Sequence, residues 1–238
     1  TVAARFGMTC RVYMGAEDID GFGGIDGLVA TREAVASAGR ASEPGIPGPA
    51  RLHATSIKFF VDGVLESRTG ALLEPYLDAH GAPTGGTGMT AREPAELKRL
   101  SVALDARGFQ LHYHAIGDRA VREALDAIET AREANGARDA RHHIAHTQLI
   151  HPDDVPRFRA LDAVANAQPL WAVHEAQMDE LTIPFLGPER TTWQYPFGSL
   201  LRAGARLAFG SDWTVSTADP FPQIEVAVRR IWPGNREA

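Results

Sequence analysis

Two histidines one residue apart, His112 and His114 in QLHYHAIGDRA (110–120), close an apolar run that turns into a helix. Imidazole exchanges protons near neutral pH and is the commonest nitrogen ligand for metals, so the pair raises both prospects. Groups of related chemistry recur along the chain: Lys58 and Asp62 in SIKFFVDG, His142, His143 and His146 in RHHIAH, Gln168 in DAVANAQPLW, and Asp212 in RLAFGSDW. Imidazoles, a carboxylate and a lysine converging on one point would form the donor set of a divalent transition-metal site, with zinc best suited. Taken singly, each has a plainer reading. A lone strand histidine is more often hydrogen-bonded structure, and Lys58 is served as well by pairing with Asp62 or another inward acid. Asp62 followed by Gly63 is also ordinary turn chemistry. His112 divides evenly between supporting a ligand and filling a core. His142, His143 and His151 read as strand-start or cap residues with no chemical role.

Convergence requires a fold that brings these positions together. The pattern is strand, loop, helix, repeated. Strands are predicted at 9–15, 56–63, 109–117, 141–148, in DAVANAQPLW and at 206–213. Helices are predicted in EPAELKRLSVALDARG, GDRAVREALDAIETAREANG, HPDDVPRFRALD, FGSLLRAG and DPFPQIEVAVRRIW, with Asp118 placed to cap the second. The Gly/Pro-rich stretch 21–49 reads as loop with one helical piece, TREAVASAG. Alternation of this kind means parallel strands joined by crossovers, hence a doubly wound sheet or a (β/α) barrel. Asp62, His114, His146, Gln168 and Asp212 all fall at C-terminal strand ends, which a barrel gathers into one mouth and an open sheet spreads along an edge. The barrel is the better reading.

Strand alternation then assigns faces. His112 and His114 point one way, Leu111 and Tyr113 the other. The same rule groups His142 with Ile144 and His146, and Ala208 with Gly210 and Asp212. Lys58 shares a face with Phe60 and Asp62, which predicts an ammonium inside an apolar strand, where desolvation disfavours its charge.

Composition bounds the rest. The 238 residues, 44% hydrophobic and 23% charged, suit one domain spanning 1–238. A formal net charge of −6 and the lack of any Lys/Arg run argue against nucleic-acid or anionic-membrane partners. Cys10 is the only cysteine, which excludes a disulfide framework or a Cys-based zinc site within one chain and points to a reducing cytoplasm. No apolar run reaches the roughly 18 residues of a membrane span. GFGGIDG (21–27) has Asp26 where a dinucleotide loop needs its third glycine, GGTGM (85–89) lacks the Lys-Ser/Thr of a phosphate loop, and Ser211 in GSDW lacks a nucleophile elbow. Trp171, Trp193, Tyr195, Phe197 and Trp213 fall near the expected mouth, as substrate-pocket walls or as packing.

In order and spacing, IKFFVDGVLESRTGALLEPY, QLHYHAIGDRAV, RHHIAHTQLIHPDDVPRF, ANAQPLW and LAFGSDW resemble the amidohydrolase superfamily, in the branch that holds N-substituted formamide deformylase. The likeness covers residues 54–220. It implies a distorted (β/α) barrel with metal ligands at His114 (fifth strand), His146 (sixth) and Asp212 (eighth). It also puts Lys58 at the fourth-strand position where many relatives carry a carboxylated lysine bridging two metals. One or two Zn²⁺ ions would activate water against an amide or N-acyl carbonyl, with Asp212 as general acid-base and His112 or Gln168 steadying the oxyanion or a ligand. The expected substrate is a small-molecule amide.

The departures also carry weight. The family's strand-one His-x-His pair has no counterpart here, so the chain reads as strands 3 to 8 of an incomplete barrel from a longer enzyme. Ala145 stands where a glutamate is common. Unpaired sheet edges predict either self-association into a homo-oligomer or partial disorder. Two other readings stay open: a cyclic amidine deaminase, and an inactive truncated barrel serving at most as a binding module.

Overall fold

The computed structural model describes residues 10–40 and 52–235. Thr9, the expected first residue of the first strand, and the end of the expected loop up to Pro49 lie outside them. Six strands pair side by side in chain order: β1 (Cys10–Gly15), β2 (Leu52–Phe60), β3 (Gln110–Ala115), β4 (His143–His146), β5 (Val164–Ala167) and β6 (Arg206–Phe209). Every neighbouring pair is parallel. Parallel neighbours need crossovers, and helices supply them. These are α1 (Gly24–Arg40), α2 (Pro94–Ala106), α3 (Asp118–Asn135), α4 (Val155–Ala160), α5 (Ala176–Leu181), α6 (Ile183–Thr191), α7 (Phe197–Arg202) and α8 (Pro220–Arg229). Among the described residues the sheet stays open between β1 and β6. The fold is an incomplete (β/α) barrel, in agreement with the strand–helix alternation.

The helices form because they carry a 3.6-residue apolar period against the sheet. In α3, Val121, Ala124, Leu125 and Ile128 are buried, and Gly136 ends the helix with φ 84°. In α2, Leu97, Leu100 and Leu104 play that part. They pack on the convex face of the sheet, on Ile57, Phe59, Leu111, Tyr113, Ile144 and Ala165. The rings of Phe59 and Tyr113 stack at 5.3 Å, and the Tyr113 hydroxyl is satisfied by Ser101 Oγ at 2.8 Å. Each fully buried side chain of this size contributes about 1.5–3 kcal/mol, so this layer holds the molecule together. No helix among the described residues is long and apolar enough to cross a membrane.

Three local expectations are corrected. Helix α1 begins at Gly24 and is longer than TREAVASAG. Its glycines mask a helical period of Ile25, Leu28, Val29 and Val35, all packed on the core. Gly27 is required there, since a Cβ would lie 1.5 Å from the carbonyl oxygen of Phe22. Strand β2 begins at Leu52 and ends at Phe60, which leaves Asp62 beyond it. Asp118 does not cap α3. It is the first helical residue, and its carboxylate accepts from the amides of Leu73 and Arg119, tying the loop after β2 to the helix.

Candidate metal centre

Parallel register puts partners on the same face, so the concave side of the arc can be read row by row. One row runs Lys58, His112, His143, Val164 and Arg206; the next runs Phe60, His114, Ala145, Asn166 and Ala208. His112 and His114 are therefore successive inward positions of β3, as alternation predicts.

At the upper level the His114 and His146 rings lie 4.5 Å apart, centroid to centroid, at 69°. Nε2 of His114 donates to the Gly63 carbonyl at 3.1 Å, and Nδ1 of His146 donates to Gln168 Oε1 at 2.9 Å. Both acceptors are carbonyls, which cannot donate. Each therefore fixes a tautomer and leaves the other nitrogen with a free lone pair: Nδ1 on His114 and Nε2 on His146. Burial favours the neutral ring in both. It holds His146 down at about 3, helped by the neighbouring His114 and Lys58, and it lowers His114 against the opposing pull of the Gly63 hydrogen bond. Neutral imidazole is the form that binds metal. The indole of Trp171 stacks on His146 at 5.6 Å and 17°, closing one side.

Lys58 is the strand neighbour of His112. The Asp212 charge raises His114, and the Lys58 charge lowers His112, His114 and His146. The sheet thus brings Lys58, His112 and His114 to one face with the His146 ring against His114, while Asp212 lies three residues beyond the end of β6. Two neutral imidazoles with free nitrogens, a carboxylate and an amine fit a divalent transition ion in donor type. Among the described residues, no group of three or more His, Cys, Asp or Glu is arranged to hold an ion.

The structure revises several sequence expectations. Lys58 is not desolvated inside an apolar strand. Its side chain is half-buried on the open face, with Nζ 4.6 Å from the centre of the Phe60 ring. Its pairing with Asp62 is absent among the described ion pairs, because Asp62 is committed elsewhere. That buried carboxylate accepts from the amides of Ala71, Ile116 and Gly117 at 2.9 to 3.0 Å, stitching the loop after β2 to the turn that leads into α3. Burial pushes Asp62 up to about 7 against those hydrogen bonds. Neither an ion pair with Lys58 nor local turn chemistry describes Asp62, whose amide partners lie at Ala71, Ile116 and Gly117.

The grouping of His142, Ile144 and His146 on one face is also overturned. His142 turns to the helices and bonds Asp105 at 2.8 Å, and Ile144 enters the convex core. His146 returns to the concave side because its φ is 75°, and alternation holds only while the backbone stays extended. Its inward neighbour is His143, for which no chemical role was expected. The His143 ring lies 4.4 Å from that of His112, which also meets Tyr13 at 4.4 Å. Both nitrogens of His112 and Nε2 of His143 are buried without a hydrogen-bond partner among the described residues. Correct parity from His143 would have found this; Trp171 and Tyr13 left no signal beyond their aromatic type. His151 does act as a cap, accepting from the Asp153 amide at 3.2 Å.

The sequence model described as the amidohydrolase family matches residues 1–236. The chain belongs to the amidohydrolase family. Crystal structures of uncharacterized metal-dependent hydrolases resemble this amidohydrolase chain. That from Pyrococcus furiosus is 28% identical with a TM-score of 0.72, covering 96% of this chain and 42% of that one. That from Pyrococcus horikoshii OT3 is 26% identical with a TM-score of 0.71, covering 96% and 41%. Protein LONG AFTER FAR-RED 3 of Arabidopsis thaliana is 37% identical over 183 residues, which are 76% of this chain and 30% of that protein. The amidohydrolase chain thus spans less than half the length of these relatives.

Proposed function

We propose that the chain carries the ligand-bearing arc of a metal-dependent hydrolase that cleaves a non-peptide C–N bond, in an amide, N-acyl or N-formyl amine. The carrying observation is the His114–His146 pair, with rings 4.5 Å apart and each outer nitrogen anchored to a carbonyl. Family membership supports the hydrolytic class. The bond type rests on the resemblance of the sequence motifs to the branch that holds N-substituted formamide deformylase.

His114 and His146 would hold the ion, with Asp212 and Lys58, the latter as amine or carbamate, completing the set from this chain. Zinc suits these donors. When bound, such an ion supplies Lewis acidity, which polarises a carbonyl and makes water nucleophilic near neutral pH. The chain's own residues do the rest. Gln168 and the Gly63 carbonyl fix the ring orientations. Asp212 takes the proton from the attacking water and returns it to the leaving nitrogen, so that water's oxygen ends on the acyl carbon and the C–N bond breaks to a free amine. Asp62 stiffens the Ile116–Gly117 backbone that follows β3.

The test is hydrolysis of a panel of N-formyl and N-acyl amines by the zinc-loaded chain and by a form extended to the length of its relatives. The reading expects amine release that is abolished in Asp212→Asn. Intact substrates with both forms would defeat it. Ammonia released from a cyclic amidine, without amine from the panel, would transfer the site to deamination.

A further inference from the structure

Beside the histidine pair lies a cavity of about 380 Å³. It shares a wall with the candidate centre, since Trp171 stacks on His146 and also lines the cavity. Its other walls include Leu170, Met178 and Tyr195, and two carboxylates, Glu66 and Glu175, reach it from the loop after β2 and the start of α5. A cavity of this size takes a small organic group, and aromatic walls suit a flat or alkyl body.

The two acids have no evident structural task. Neither forms an ion pair among the described residues, and Glu175, although at the N-cap position of α5, makes no side-chain capping bond. Both are half-buried, and both charges act on Tyr195, raising its hydroxyl well above the usual range after burial itself. The nearby cation is already used. Arg230 lies across the Tyr195 ring, with Nε donating to the Ala172 carbonyl and Nη1 to that of Tyr195. It is not among the residues lining the cavity.

Two carboxylates lining one cavity with aromatic rings form a receptor for a cation, since ring faces and carboxylates attract the same sign of charge. We infer that this cavity binds an organic monocation on an apolar body, and that the substrate of the adjoining centre carries a protonated amine, guanidinium or quaternary ammonium beyond its scissile bond. The binding site stands on the cavity alone; its assignment to the substrate rests on the hydrolase reading above.

The probe is 2-phenylethylammonium, compared by calorimetric titration of the metal-free chain with 2-phenylethanol and 3-phenylpropionate, which offer a similar body with no charge or the opposite charge. The ammonium should bind at least about tenfold tighter than the alcohol, with the carboxylate weakest. In a Glu66→Gln, Glu175→Gln double variant the ammonium should fall to within about twofold of an unchanged alcohol. Equal affinity for ammonium and alcohol, a preference that survives in the double variant, or no binding of any of the three at millimolar concentration would overturn the inference. No turnover enters this measurement. A failed hydrolysis panel with intact cation binding would sink the hydrolase reading and the substrate assignment, while the cavity's preference would stand. Working hydrolysis with no charge preference would do the reverse.

Discussion

The two faces of this one sheet are built from alternate residues of the same strands, yet they answer to different demands. On the convex face Ile57, Phe59, Leu111, Tyr113 and Ile144 are fully buried against helices, and the hydroxyl of Tyr113 has its partner. On the concave face Lys58, His112, His114 and His143 gather, and three buried ring nitrogens have no partner among the described residues. An unsatisfied buried polar group costs about 1–3 kcal/mol. One face therefore supplies stability and the other draws on it, which is the usual mark of a surface kept for chemistry.

The largest effect should come from damage to the convex face. Leu111→Ala removes a fully buried side chain and should cost roughly 2–5 kcal/mol in urea unfolding, through lost transfer energy and the cavity left behind. A loss below 1 kcal/mol would mean that the faces do not divide the labour as described. Gln168→Leu acts on the concave side only. It frees the His146 ring, and zinc affinity should fall about 10–100-fold with little change in unfolding.

Next comes a change of opposite sign. His112→Leu replaces a buried imidazole with neither nitrogen paired, so stability should rise by about 1 kcal/mol. Turnover should fall if the ring serves the reaction. A stability loss equal to that of Leu111→Ala would make His112 ordinary core.

Another effect is graded with pH. Burial holds His143 down at about 4, against 6.5 for a free ring. Between those values the unfolded chain binds the proton that the folded chain refuses. Stability is therefore complete above 6.5 and declines as pH falls toward 4, with a slope of at most about 1.4 kcal/mol per pH unit from this group. His143→Gln should flatten that slope, as read from unfolding midpoints between pH 7 and pH 5.

Much of this division was legible in the sequence. Strict alternation in Gln110–Ala115 put His112 and His114 on one face correctly, because β3 stays extended throughout. The apolar period of α3 and its glycine stop were equally plain. In β4 the same counting failed, since positive φ at His146 and Thr147 ends the alternation within the motif, and nothing in RHHIAH announces it. Gly23, Gly24 and Gly27 hid the first turns of α1 by reading as loop. Asp62 showed its position but not its task, because its three partners are amides from two segments distant in sequence. The Trp171 stack and the cavity beside it depend on how separate loops meet, which no local pattern encodes.

The central claim is that His114 and His146 jointly hold a divalent ion. Elemental analysis of the chain before and after zinc loading, alongside His114→Ala, Asp212→Ala and His112→Leu, tests it most directly. The account predicts near-stoichiometric zinc in the parent chain and in His112→Leu, and loss of zinc in His114→Ala and Asp212→Ala. Zinc retained equally in all four proteins, or absent from the loaded parent, would contradict it.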